Sequence, residues 1–83
     1  MNDVPPSTWT VIENHHLYKV FLFPDFQKAL HFVNRVAAIA EEQGHHPDIL
    51  LKWGRVEIST YTHTTNGLTD KDYTLASAID NLS

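Results

Sequence analysis

The sequence predicts a two-layer α+β sandwich in the order β-β-α-β-β-α, with a four-stranded, mainly antiparallel sheet and two helices on one face. Three observations predict it. Two stretches rich in β-branched and aromatic residues are each interrupted by turn-forming residues, so each reads as a hairpin. Each hairpin is followed by a segment whose apolar residues recur at helical spacing. With 83 residues, the chain can build one small core, so all of these elements must share it.

Residues 1–8, which contain Pro5 and Pro6, read as an extended lead-in, and residues 9–83 as the single domain. Trp9-Thr10-Val11-Ile12 and Leu17 to Phe23 form the first hairpin around a turn at Glu13-Asn14-His15, where His15 and His16 are expected to be solvated turn residues. Pro24 ends the second strand and Asp25 is an N-cap residue for a helix that runs to about Gln43 and is closed by Gly44. Phe26, Ala29, Leu30, Val33, Val36, Ala37 and Ala40 form an apolar band about 120° wide on that helix. Phe32 and Ile39 lie beside the band and are assigned to a subunit interface. On the other edge Glu41 is expected to look into the fold and Glu42 to face water.

Beyond the helix, Pro47 biases His46 towards an extended conformation, so His45 and His46 point to opposite sides. Ile49 to Trp53, a turn at Gly54, and Arg55 to Thr62 make the second hairpin. In its return strand Val56, Ile58, Thr60 and Thr62 share one face, and Glu57, Ser59, Tyr61 and His63 the other. Thr69 opens the last helix, whose buried stripe is Leu75, Ala76, Ala78, Ile79 and Leu82. Asp72 falls on that stripe, where a carboxylate needs a partner, with reciprocal capping of Thr69 as the alternative use.

Six Lys and Arg stand against ten Asp and Glu, a formal charge of −4, and no basic cluster is present to neutralise phosphates, so nucleic acid is excluded as an expected ligand. The chain has no cysteine, which removes disulfides, iron–sulfur clusters, thiolate zinc sites and cysteine nucleophiles. With no signal segment and no apolar run long enough for a membrane span, the expected location is the cytoplasm.

Glu41, His45, His46, His63 and Asp72 remain as the candidate site. Three imidazoles with two carboxylates permit a zinc site, in which carboxylates orient the ligands. They equally permit proton transfer near neutral pH. Spacing leaves both open.

The pattern Glu41-x-x-x-His45-His46-Pro47, followed by Trp53, His63 and Asp72, resembles the signature of the pterin-4a-carbinolamine dehydratases. Trp9, Phe21-x-Phe23-x-Asp25-Phe26, Ala29, Phe32, Val36-Ala37, Thr62-His63, Gly67-Leu68-Thr69 and Leu75-Ala76 extend the likeness to the chain end. The resemblance implies the two-layer fold, association into a homodimer or homotetramer, and no metal or other cofactor. It also implies removal of water from 4a-hydroxytetrahydropterin to give quinonoid dihydropterin, a small-molecule substrate with no membrane or nucleic-acid partner. His45, His46 and His63 match the catalytic positions, Glu41 and Asp72 the supporting acids, and His45, Pro47 and Trp53 the substrate-binding ones. Family members usually carry a helical segment before the strand of Trp9, where this sequence has about eight residues. The alternative is a non-catalytic interaction protein of the same fold, a transcription-factor dimerisation cofactor or an assembly factor.

Overall fold

The computed structural model describes residues 9–82, so the lead-in expected at residues 1–8 lies outside the described residues. In chain order the elements are β1 (Thr10–Ile12), β2 (His16–Leu22), α1 (Phe26–Gln43), β3 (Asp48–Lys52), β4 (Arg55–Thr60) and α2 (Asp70–Asp80). The strands form one antiparallel sheet in the order β1-β2-β4-β3, the α+β arrangement that the sequence predicts.

Each hairpin closes for a local reason. Glu13 and Asn14 take the left-handed backbone conformation, φ 53° and 56°, and the His15 N–H donates to the Ile12 carbonyl at 2.9 Å, a reversal whose twist matches that of the flanking strands. The second hairpin turns at Trp53-Gly54, between the paired Lys52 and Arg55. A Cβ on Gly54 would lie 2.8 Å from the Phe23 carbonyl oxygen, and the Gly54 carbonyl accepts from the Phe23 N–H at 2.8 Å. Glycine is therefore needed there to let the end of β2 approach.

Pairing of Leu17 with Thr60, Lys19 with Ile58 and Phe21 with Val56 places these residues on the inner face, where Leu17, Val56 and Ile58 are wholly buried. Both helices contribute to the same core, α1 through Ala29, Phe32 and Val36 and α2 through Leu75, Ala76 and Ile79. On the outer face Tyr18 Oη donates to Glu57 at 2.8 Å, and Arg55 Nε donates to the same carboxylate at 2.9 Å. These donors, with Lys52, hold the Glu57 carboxyl down at about 2.

The buried stripe of α1 differs from the expected one. Ala29, Phe32, Val36 and Ala40 are buried, whereas Phe26 and Leu30 are 45% and 39% exposed and Ala37 faces water. The buried arc is turned by about 60° from the band read off the sequence. Phe32 is the cause. Its ring packs on those of Phe21 and Phe23, with centroids 4.7 and 5.1 Å away, so it is a core residue rather than the interface residue expected. The same turn carries Glu41 out of the fold into solvent, correcting the expectation that it looks inward.

Helix ends follow the predicted chemistry. Asp25 accepts from the Lys28 N–H at 2.8 Å, and Gly44 at φ 65° ends α1, a conformation that costs glycine little. The next N–H, that of His45, then donates back to the Ala40 carbonyl at 3.1 Å. This fixes the point at which the two adjacent histidines leave the helix. No helix among the described residues is long and apolar enough to cross a membrane.

Candidate active site

Asp72 is the centre of the candidate site. It sits in the first turn of α2, wholly buried. Its Oδ1 accepts from His45 Nε2 at 2.6 Å and from Thr60 Oγ1 at 2.7 Å. Its Oδ2 accepts from Thr62 Oγ1 at 2.9 Å and from the Thr69 N–H at 3.0 Å. Both readings made from the sequence therefore hold together, since Asp72 completes a capping box with Thr69 and also holds a histidine. Burial pushes its carboxyl upward, but the donors from His45, Thr60, Thr69 and Thr62 outweigh this and keep it below the usual carboxylate range.

These hydrogen bonds have a fixed direction. The single proton of Thr62 Oγ1 goes to Asp72, so at 2.6 Å from Thr69 Oγ1 it receives the Thr69 hydroxyl proton. Thr69 Oγ1 accepts in turn from the Lys71 N–H at 3.3 Å. Because a carboxylate only accepts, His45 carries hydrogen on Nε2, and its ring is locked by a partner that cannot rotate.

His46 points the other way, as expected of an extended residue before proline. It bonds through Nε2 to Glu41, and the side chains are 60% and 77% exposed. Two consecutive histidines are thus each paired with a carboxylate, one inside the fold and one at its surface.

His63 continues the alternation of β4. Thr62 turns inward to Asp72, and His63 follows Tyr61 onto the outer side, their rings 4.4 Å apart. The loop from Thr62 to Gly67 closes on itself, with the Thr62 N–H donating to the Gly67 carbonyl at 2.8 Å and the Asn66 N–H to the His63 carbonyl at 3.2 Å. Asp72 therefore ties together the two segments that carry all three histidines, 45–46 directly and 62–63 through Thr62.

No hydrogen bond or ring contact among the described residues joins any two of His45, His46 and His63. A cleft of about 320 Å³ opens beside α2 and is lined by Gln43, His45, Asp70, Lys71 and Thr74. Of the three imidazoles only His45 lines it. Alternation along extended chain separates the neighbours, as Pro47 led us to expect. Pro47 is half-buried ahead of β3, whereas Trp53 stands 68% exposed at the other end of that strand, about 20 Å along the chain from Pro47. The structure does not bring Trp53 to Asp72. Among the described residues no group of three or more His, Asp or Glu converges as a metal ion would require.

Sequence reasoning missed the parts played by Thr60 and Thr62. A signal for them existed, because both fall on the inward face of the strand while Asp72 needs donors there. Tyr61 was missed as the neighbour of His63, and His15, expected to be a solvated turn residue, is half-buried and packs on Tyr61.

Comparison with known proteins places this geometry in context. Residues 2–82 match the family described as pterin 4 alpha carbinolamine dehydratase. A protein of Rubrobacter xylanophilus, provisionally named pterin-4-alpha-carbinolamine dehydratase, is 51% identical over 89% of this chain and 69% of its own length. A similarly named protein of Alkaliphilus metalliredigens is 44% identical over 87% of this chain and 65% of its own. The chain thus spans about two thirds of the length of these relatives. Among solved structures, a transcriptional coactivator/pterin dehydratase from Brucella melitensis superposes with a TM-score of 0.84 at 29% identity, covering 89% of this chain and 80% of that one. A pterin dehydratase-like protein identified as a RuBisCO assembly factor in the alpha-carboxysome gives 0.78 at 26% identity, covering 92% and 89%.

Proposed function

The chain belongs to the pterin 4 alpha carbinolamine dehydratase family, and from that premise we propose that it removes water from 4a-hydroxytetrahydropterin by histidine acid–base catalysis. The observation that carries this reading is the buried Asp72, which knots the segments bearing His45, His46 and His63.

In the reaction the C4a–O bond breaks and its electron pair leaves with oxygen. One imidazole gives that oxygen a proton, so it departs as water. The lone pair of the neighbouring ring nitrogen N5 forms the new double bond to C4a, and N5 loses its proton to a second imidazole. One proton is given and one taken, so the two histidines exchange roles without net change. A placed acid or base contributes about 10²- to 10⁴-fold.

His46 and His63, both exposed, are assigned the proton transfers at the hydroxyl and at N5. His45, whose ring Asp72 holds in one orientation, is assigned to hold the pterin, with Pro47 beside it. Glu41 orients His46 and Asp72 orients His45. Trp53, together with the exposed Phe26 and Leu30, is assigned to contact with a second copy, in a homodimer or homotetramer. The test is direct. The purified protein should accelerate loss of 4a-hydroxytetrahydropterin, followed by the absorbance of quinonoid dihydropterin, and should elute at a multiple of 9.5 kDa. No acceleration over buffer would leave the non-catalytic interaction role, which the exposed Leu22, 74%, favours as the second reading.

A further inference from the structure

His63 is the least constrained of the three imidazoles. It is exposed on a loop, and the ring of Tyr61 is the only ring among the described residues in contact with its own. A proton-transfer group held so loosely loses rate, since a displacement of about 1 Å can cost about 10²-fold. Something must hold Tyr61 in turn.

The turn between β1 and β2 does so. The imidazole of His15 lies 4.3 Å from the Tyr61 ring, inclined at 41°, and Tyr61 lies 4.4 Å from His63 at 38°. His15 also reaches the His63 loop by a second route, since its Nε2 lies 3.0 Å from Asn66 Oδ1. A carbonyl oxygen only accepts, so Nε2 carries the hydrogen and neutral His15 presents a bare Nδ1. That atom lies 3.1 Å from His16 Nδ1, which donates to it. Both ring nitrogens of His15 are then engaged, and the ring is fixed in plane and tilt. Asn66 has the left-handed φ of 55°, and its N–H closes on the His63 carbonyl. The hydrogen bond from His15 thus lands on the residue that shapes this loop.

Space beside the row makes these contacts consequential. His15, His16, Asp48, Ser59 and Tyr61 line a cavity of about 200 Å³ on the outer side of the sheet. Without the His15 ring the Tyr61 side chain would have that space to turn into, and His63 would lose its support.

We propose that His15 is a positioning residue for His63, acting through the stacked ring of Tyr61 and through Asn66. This rests on the reading of His63 as a proton-transfer group, and the experiment separates the two. Steady-state turnover of 4a-hydroxytetrahydropterin is measured for the full chain, for His15→Ala, for His63→Ala and for the double variant. Alongside, the ring-proton NMR shifts of His63 are recorded in the full chain and in His15→Ala. The expected result is a fall of about tenfold in kcat for His15→Ala with KM within about twofold, part of the ~10²-fold that misplacement can cost. In the His63→Ala background the same change should cost nothing more, because His15 acts only through His63. His15→Phe, which keeps a ring against Tyr61, should recover part of the loss.

A purely structural role would lower both backgrounds equally, and that result overturns the proposal. Full activity in His63→Ala would instead refute the catalytic reading of His63, and the NMR arm then decides the geometric one. The His63 ring protons should move towards free-histidine values in His15→Ala as the Tyr61 ring current is lost; unchanged shifts overturn the positioning.

Discussion

His45 and His46 are neighbours in sequence, and each is paired with a carboxylate, yet the two couples do opposite things. His45 meets Asp72 in the interior, where four donors converge on one carboxylate. His46 meets Glu41 in water, each with no other side-chain hydrogen-bond partner among the described residues. A buried pair is held by the cost of leaving either partner unsatisfied, whereas an exposed pair gives about 0–1 kcal/mol. The inner couple is therefore architecture that also presents a ring. The outer couple can break and reform at little cost. Residue type did not decide this; the extended backbone before Pro47 did, by sending one ring in and the next one out.

The largest effect should come from cutting the inner couple. Asp72→Ala leaves the hydroxyls of Thr60 and Thr62, the Thr69 N–H and the His45 ring without their acceptor. It should cost about 3–5 kcal/mol of stability in urea unfolding and abolish turnover with it. An Asp72→Ala protein that unfolds within 1 kcal/mol of the parent would remove the distinction between the couples.

Cutting the outer couple should separate activity from stability. His46→Ala should lower kcat by about 10²- to 10⁴-fold while shifting stability by no more than ~1 kcal/mol. Glu41→Gln should have the same negligible effect on unfolding and a smaller effect on rate, since Glu41 acts only through His46. Turnover unchanged in His46→Ala would mean that the proton passes through another group.

The smallest effect sharpens the comparison through pH. Asp72 and Glu57 both have folded-state carboxyls below their ordinary range, Glu57 at about 2. Groups depressed in the folded state stabilise it above their unfolded pKa, about 4, and that contribution is lost as pH falls towards the folded value. The contribution of these two carboxyls should therefore be fully present above about pH 5, and unfolding midpoints should fall as pH drops below about 4. In Asp72→Asn part of that slope should vanish, and in Glu57→Gln another part. A slope identical in all three proteins would place the titrating groups elsewhere.

How much of this was legible in the sequence depended on whether a local rule or a distant neighbour decided the outcome. Strand alternation carried through correctly from Val56 to Thr60, because pleating leaves a side chain no choice of face. Gly44 and Thr69 were readable for the same reason, since a helix end needs its caps wherever it lies. Asp72 was legible as a buried acid from its place on the α2 stripe. The rotation of α1 was not. Helical spacing fixes which residues share a face, but two faces overlapped here, and the choice fell to Phe32 because Phe21 and Phe23 offered it rings to pack on. Glu41 followed that choice. The contact of His15 with Tyr61 joins residues far apart along the chain, and no periodicity records it.

One consequence of the Asp72 cluster concerns motion rather than shape. The carboxylate that begins α2 is also the group that holds His45, so fraying of the first helical turn and release of that ring are a single opening event. Amide protons of Asp72 and Tyr73 should exchange with solvent at the rate set by that event, and a pterin seated on His45 should slow them.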